Sequence, residues 1–116
     1  TVVGVFEGQA KQGLELTVTG DGSQRRDFTH VSDIVSGLIE LSKSDWKGRV
    51  FQLGTGINYS INELAKMFGG NIKYIRRRPG EAMITLADIT EIEDSTGWRP
   101  KVSLSAYVMQ WTGKNL

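Results

Sequence analysis

Residues 20–28 read Gly-Asp-Gly-Ser-Gln-Arg-Arg-Asp-Phe, and no single helix or strand can run through them. Two glycines within three residues supply positive φ for a tight turn, and the Asp21 side chain is placed to bond the amides just beyond it. Whatever precedes the turn must end there. Residues 14–18 (LELTV) alternate apolar and polar side chains and read as a strand. After Phe28, Val31, Ile34, Val35, Leu38 and Ile39 fall at i, i+3, i+4, i+7 and i+8, which is one broad apolar helix face. The turn thus links a strand to a helix, and the connection carries two adjacent arginines and an acid.

Upstream, Val3, Phe6 and Ala10 recur at helical spacing, and Gly13 ends that helix. A helix already running at the first residue, with no leader before it, predicts that further sequence precedes the chain. Downstream, Lys47-Gly48 breaks the 31–39 helix, and residues 49–53 (RVFQL) read as a short, mostly buried strand. Ser60 and Glu63 form an S-x-x-E capping box, with Tyr59 and Leu64 at the staple positions. Ile61, Leu64, Ala65 and Phe68 supply the apolar face of that helix, which Gly69-Gly70 ends. Residues 71–75 (NIKYI) alternate as a strand and run into Arg76-Arg77-Arg78-Pro79-Gly80. Asp88 with Glu91 predicts a capped short helix stopping at Gly97, and Ser103 caps a last one bearing Leu104, Tyr107, Val108 and Trp111. Helices alternating with short strands predict an α/β (α+β) layer structure: a small mixed sheet with four to five helices.

Composition narrows the function. The 116 residues fit one domain, with 39% hydrophobic and 23% charged residues, as in ordinary globular proteins. Net charge is +1, so no global field draws nucleic acid or anionic membrane, and affinity for anions must come from local clusters. Without cysteine, disulfides and thiolate metal sites are excluded, and the lone histidine, His30, reads as structural. No apolar run approaches the ~20 residues of a membrane span, and the opening has no signal-peptide pattern, so a soluble, cytoplasmic setting is the expectation.

Two arginine clusters carry the chemistry. A guanidinium at Arg26 suits the paired oxygens of a phosphate, although an ion pair to Asp27 or Asp33 is the plain alternative; Arg25 is expected to face solvent. Arg76-Arg77-Arg78 alone would read as a solvated face. Followed by Pro79-Gly80 and Glu81, whose carboxylate suits a ribose hydroxyl, it completes the inventory a nucleotide diphosphate needs. Gly54-Thr55-Gly56 follows a strand pattern and precedes a helix, as a dinucleotide loop does. Its third glycine position is Tyr59, however, and no acid lies about 20 residues on. Catalytic pairs are missing, including any Tyr-x-x-x-Lys; Phe68, Trp98 and Trp111 read as core.

Four segments in order carry a resemblance: GDGSQRRDFTHVSDIV, VFQLGTGINYSINELAK, RRRPGE with Ala-Asp seven residues beyond Gly80, and TGWRPKVSLS. Together they resemble the C-terminal, substrate-binding part of NAD-dependent nucleotide-sugar epimerases and dehydratases. These are the extended short-chain dehydrogenase/reductases typified by UDP-glucose 4-epimerase. The resemblance implies that Arg26 and Arg78 grip the nucleotide diphosphate, that Glu81 lies near the ribose, and that Thr17 and Thr19 line the base. Gln52 stands where the family commonly has Asn. Asp88, Gly97, Trp98 and Pro100 look structural. The family's NAD loop and Tyr-x-x-x-Lys pair belong to a preceding Rossmann domain that this sequence does not contain, so the chain itself is expected to hold no cofactor, no metal and no catalytic residue.

The expectation is a single substrate-binding domain over residues 1–116, taking UDP- or dTDP-type nucleotide sugars and inert alone. A face left bare by the missing domain, with Val2, Val3 and Phe6 as candidates, is expected to drive self-association. The alternatives are a stand-alone nucleotide or phospholigand module and, less favoured, a nucleic-acid binder.

Overall fold

The computed structural model describes residues 1–113. Thr1 caps α1 (Val2–Lys11), and the chain turns at Gly13 into β1 (Leu16–Thr19). The Gly-Asp-Gly turn leads to the two-residue strand β2 (Arg25–Arg26) and then to α2 (Val31–Ser42). β3 (Tyr59–Ser60) runs directly into α3 (Ile61–Phe68), followed by β4 (Ile72–Ile75), α4 (Thr90–Thr96) and α5 (Leu104–Thr112). β1 pairs in parallel with β4, Leu16 opposite Ile72, while β2 pairs antiparallel with β3, Arg26 opposite Tyr59. Among the described residues, five helices around short mixed strands match the expected class.

The helix ends obey the sequence signals. Ser60 Oγ accepts from the Glu63 amide, and the Glu63 carboxylate accepts from the Ser60 amide, closing the capping box. Gly69 and Gly97 take left-handed φ values of 78° and 76° to end α3 and α4. Ser103 caps α5 through the Ala106 amide. Asp88 does not open α4 as expected: its carboxylate accepts from the Thr90 amide, and the helix begins at Thr90 without a side-chain cap.

One core lies between α1, β1, α3 and α5, built from Phe6, Leu16, Val18, Leu64, Phe68 and Val108 among others. Phe6 meets Phe68 edge to face at 5.8 Å and has no exposed surface. Phe6 therefore does not belong to a bare face, because α1 turns it inward onto β1 and α3; Val2 and Val3 are partly buried against the same core.

An exposed apolar stripe lies on α2. The buried residues of that helix are Asp33 and Gly37, at helical spacing, with the more exposed Ser36 beside them. Asp33 accepts from the Lys101 and Val102 amides, Ser36 Oγ accepts from the Trp98 indole, and a Cβ on Gly37 would collide with Leu53. The apolar stripe consequently points outward, leaving Val31 69%, Leu38 56% and Ile39 54% exposed. Residues 49–53 form no strand: they carry the pattern but have no ladder partner among the described residues, and Val50 is 82% exposed. Extents of 47 × 34 × 18 Å describe a slab. Its radius of gyration, 16.2 Å, exceeds the ~13 Å of a rounded chain of this length. No helix among the described residues is long and apolar enough to cross a membrane.

Candidate functional site

The Gly-Asp-Gly turn sets the geometry. Gly22 has φ of 74° and packs so tightly on the Asn62 side chain that any Cβ would overlap it. The Asn62 side chain donates to Asp21 O, and its backbone amide to Gly22 O. The Asp21 carboxylate closes the turn from within. Ser23 hydroxyl and amide bonds, helped by the Arg77 charge, hold it below the usual carboxylate range.

Beyond the turn the chain is extended, so Gln24 and Arg26 share one side and Arg25 takes the other. Arg25 does not simply face solvent. Its guanidinium donates to Asn58 Oδ1 at 2.9 Å and to Asn58 O at 3.0 Å, and pairs with Glu63 at 3.3 Å. Gln24 is 4% exposed; its Nε2 donates to Thr19 O and Thr19 Oγ1, both at 3.0 Å, and to Glu81 Oε1 at 3.3 Å. Arg26 donates to Arg25 O at 2.8 Å and stands 3.5 Å from Glu81, not against Asp27 or Asp33. Thr19 Oγ1 also donates to Glu81, at 3.0 Å.

Gln24, Arg26, Thr19 and Glu81, but not Arg25, line one groove of about 460 Å³, within the range of small-molecule sites. Thr17 and Thr19 stand on its β1 wall, Arg26 and Gln24 at its base, and Arg78 and Glu81 come from the loop after β4. The parallel β1–β4 pairing explains the meeting, since it carries the end of β4 alongside Thr19. Thr17 is itself anchored, its hydroxyl accepting from Gln9. Gln52 stands apart from the groove: its Oε1 accepts from the Asp88 amide at 2.9 Å. Gln24 was missed by the sequence reading, although its place two residues before Arg26 on an extended segment is the signal that pairs them.

Asp27 resolves the Gly54-Thr55-Gly56 turn. The amides of Thr55 and Gly56 converge, as in an anion cradle, on the Asp27 carboxylate at 3.0 Å each, and the Ala87 amide joins them at 3.2 Å. A Cβ on Gly54 would strike both Ala87 and Asp27, so only glycine allows this approach. A neighbouring groove beyond Phe28 holds Glu7, His30 and Tyr107, with no Lys or Arg in its lining. The Glu7 carboxylate accepts from the Tyr107 hydroxyl at 2.6 Å and raises the pKa of that phenol. His30 Nδ1 accepts from the Ser32 amide and caps α2. The first groove thus carries two guanidiniums, hydroxyls and two carboxylates, Glu81 and the amide-bound Asp27, a set suited to holding a phosphorylated, hydroxyl-bearing ligand.

A family model described as GDP-mannose 4,6 dehydratase matches residues 5–111. The chain belongs to the NAD-dependent epimerase/dehydratase family. UDP-glucuronic acid decarboxylase 2 of Arabidopsis thaliana is 38% identical over 89% of this chain and 24% of its own length. Among solved structures, UDP-glucose 4-epimerase of Thermotoga maritima, crystallised with UDP-glucose, superposes with a TM-score of 0.86 at 28% identity, covering 97% of this chain and 38% of that one. An epimerase of Methanothermobacter thermautotrophicus gives 0.88 at 27% identity, covering 97% and 37%. The chain therefore spans well under half the length of these family members. The glycine turn at Gly54-Thr55-Gly56 does not offer its amides to a pyrophosphate, because Asp27 engages those of Thr55 and Gly56.

Proposed function

We propose that this chain is the substrate-binding part of an NAD-dependent nucleotide-sugar epimerase or dehydratase, holding the nucleotide diphosphate while the chemistry takes place on residues outside it. The observation that carries this reading is the meeting of Arg26 and Arg78, 52 residues apart in sequence, with Thr17, Thr19 and Glu81 in one groove. Arg26 and Arg78 are assigned to the phosphates, Glu81 to the ribose and the two threonines to the base. UDP-glucose in the Thermotoga relative supports a UDP-type ligand. Binding energy from so remote a handle holds a sugar in reactive position.

The test is calorimetric titration with UDP and UDP-glucose. Both should bind, Arg26→Ala and Arg78→Ala should each weaken binding at least tenfold, and adding NAD should give no turnover. Equal affinity in all three proteins would overturn the assignment. The bare α2 stripe supports self-association of the isolated chain. Sedimentation should show dimers or larger species that Leu38→Glu reduces to monomer, and a monodisperse wild-type monomer would refute this.

A further inference from the structure

The proposed anion groove contains a fixed anion of its own. Glu81 is not a loose rim carboxylate: the Thr19 hydroxyl reaches both its oxygens, at 3.3 and 3.0 Å, and the amide of the buried Gln24 holds Oε1 at 3.3 Å. Arg26 lies 3.5 Å away, and the two side chains are only 22% and 21% exposed, so Glu81 partly neutralises the guanidinium that a phosphate must reach. Arg78 has no ion pair among the described residues.

We infer that Glu81 is a specificity-determining filter, which disfavours bare phosphates and pyrophosphate and admits phosphate esters whose attached group offers hydroxyl donors. The inference deepens the reading above and rests on that groove being an anion site. A bare anion meets repulsion from a carboxylate held in place by Thr19 and Gln24, and it must compete with that carboxylate for Arg26. A ligand with hydroxyls next to its phosphates donates to Glu81, and the same charge becomes an acceptor. Discrimination then comes from a repulsive element in the site as well as from attraction.

Glu81→Gln is the test, because the amide is isosteric and its carbonyl oxygen still accepts from Thr19 and Gln24. The probes are inorganic pyrophosphate and UDP, titrated into wild type, Glu81→Gln, and the double variant Arg26→Ala/Glu81→Gln. Glu81→Gln should bind pyrophosphate about fivefold more tightly than wild type. UDP should gain less, so that the preference for UDP narrows. The gain should vanish in the double variant. A misfolded variant cannot produce tighter binding. Pyrophosphate affinity that is unchanged or weaker in Glu81→Gln, or a gain that survives loss of Arg26, overturns the filter. UDP binding that depends on Arg26 and Arg78 without any pyrophosphate gain would leave the nucleotide reading standing and remove the filter alone. A pyrophosphate gain in a protein that ignores UDP would overturn the filter as a selector for hydroxyl-bearing esters, and the nucleotide reading with it.

Discussion

Asp27→Asn is a one-atom change that strikes at the junction of three segments. The Asp27 carboxylate accepts from the Thr55 amide and hydroxyl, from the Gly56 amide and from the Ala87 amide. It thereby ties the end of β2 to the glycine turn and to the loop that leads back from Glu81. An asparagine oxygen can keep the Thr55 donors. Its NH₂ group would then face the Gly56 and Ala87 N–H groups, donor against donor. Hydrogen bonds to a charged acceptor contribute about 1.5–3 kcal/mol each, and Gly56 is open enough to recover a water, so the net loss is about 2–3 kcal/mol. Against a typical total of about 5–15 kcal/mol, that is a large share. Urea unfolding followed by tryptophan fluorescence should show the midpoint fall by about 1–2 M, given slopes of about 1–3 kcal/mol/M. Hydrogen exchange should quicken at Gly56 and Ala87 before it does in α3. A loss below ~0.5 kcal/mol, or exchange unchanged at those two amides, would refute the view that Asp27 clamps these loops.

Three further outcomes follow from the same packing. Ser60→Ala removes one half of the capping box and should cost about 1 kcal/mol by urea melt, with Ser60→Gly milder. Phe6→Ala empties a site with no solvent exposure beside Phe68 and should cost about 3–5 kcal/mol, enough to leave the chain largely unfolded at 37 °C by circular dichroism. The third concerns alkaline pH. Because Glu7 raises the Tyr107 pKa in the folded state, this bond contributes stability below the ordinary phenol value of about 10 and loses it as pH rises through the higher folded value. Thermal melts from pH 8 to 11 should show wild type losing more stability than Tyr107→Phe; parallel curves would contradict the shift.

What the sequence disclosed and what it hid divide along a physical line. Local signals were legible: the Ser60–Glu63 box, the glycines that end α3 and α4, and the turn before Gln24 each depend on residues within a few positions. Misreadings arose where a distant partner decides. α2 displays an apolar stripe in sequence, yet it buries Asp33 and Gly37, because the Lys101 and Val102 amides offer Asp33 hydrogen bonds and Leu53 packs on Gly37. Residues 49–53 have strand chemistry and no strand to pair with among the described residues. Arg25 acquires its partners from 33 and 38 residues away, and the Gly-Thr-Gly turn finds its anion 28 residues upstream. Five of the six expected site residues share the groove because β1 and β4 run parallel, a pairing that no local pattern encodes.

The central claim is that Arg26 and Arg78 act together on one nucleotide diphosphate. Its most direct measurement is an amide NMR titration of the isotope-labelled chain with UDP, in wild type and in the Arg26→Ala and Arg78→Ala variants. The account predicts shifts that saturate together at Thr19, Arg26 and the 78–81 loop, and that either single substitution suppresses at both places. Shifts confined to one arginine segment, or undiminished when the other arginine is removed, would contradict it.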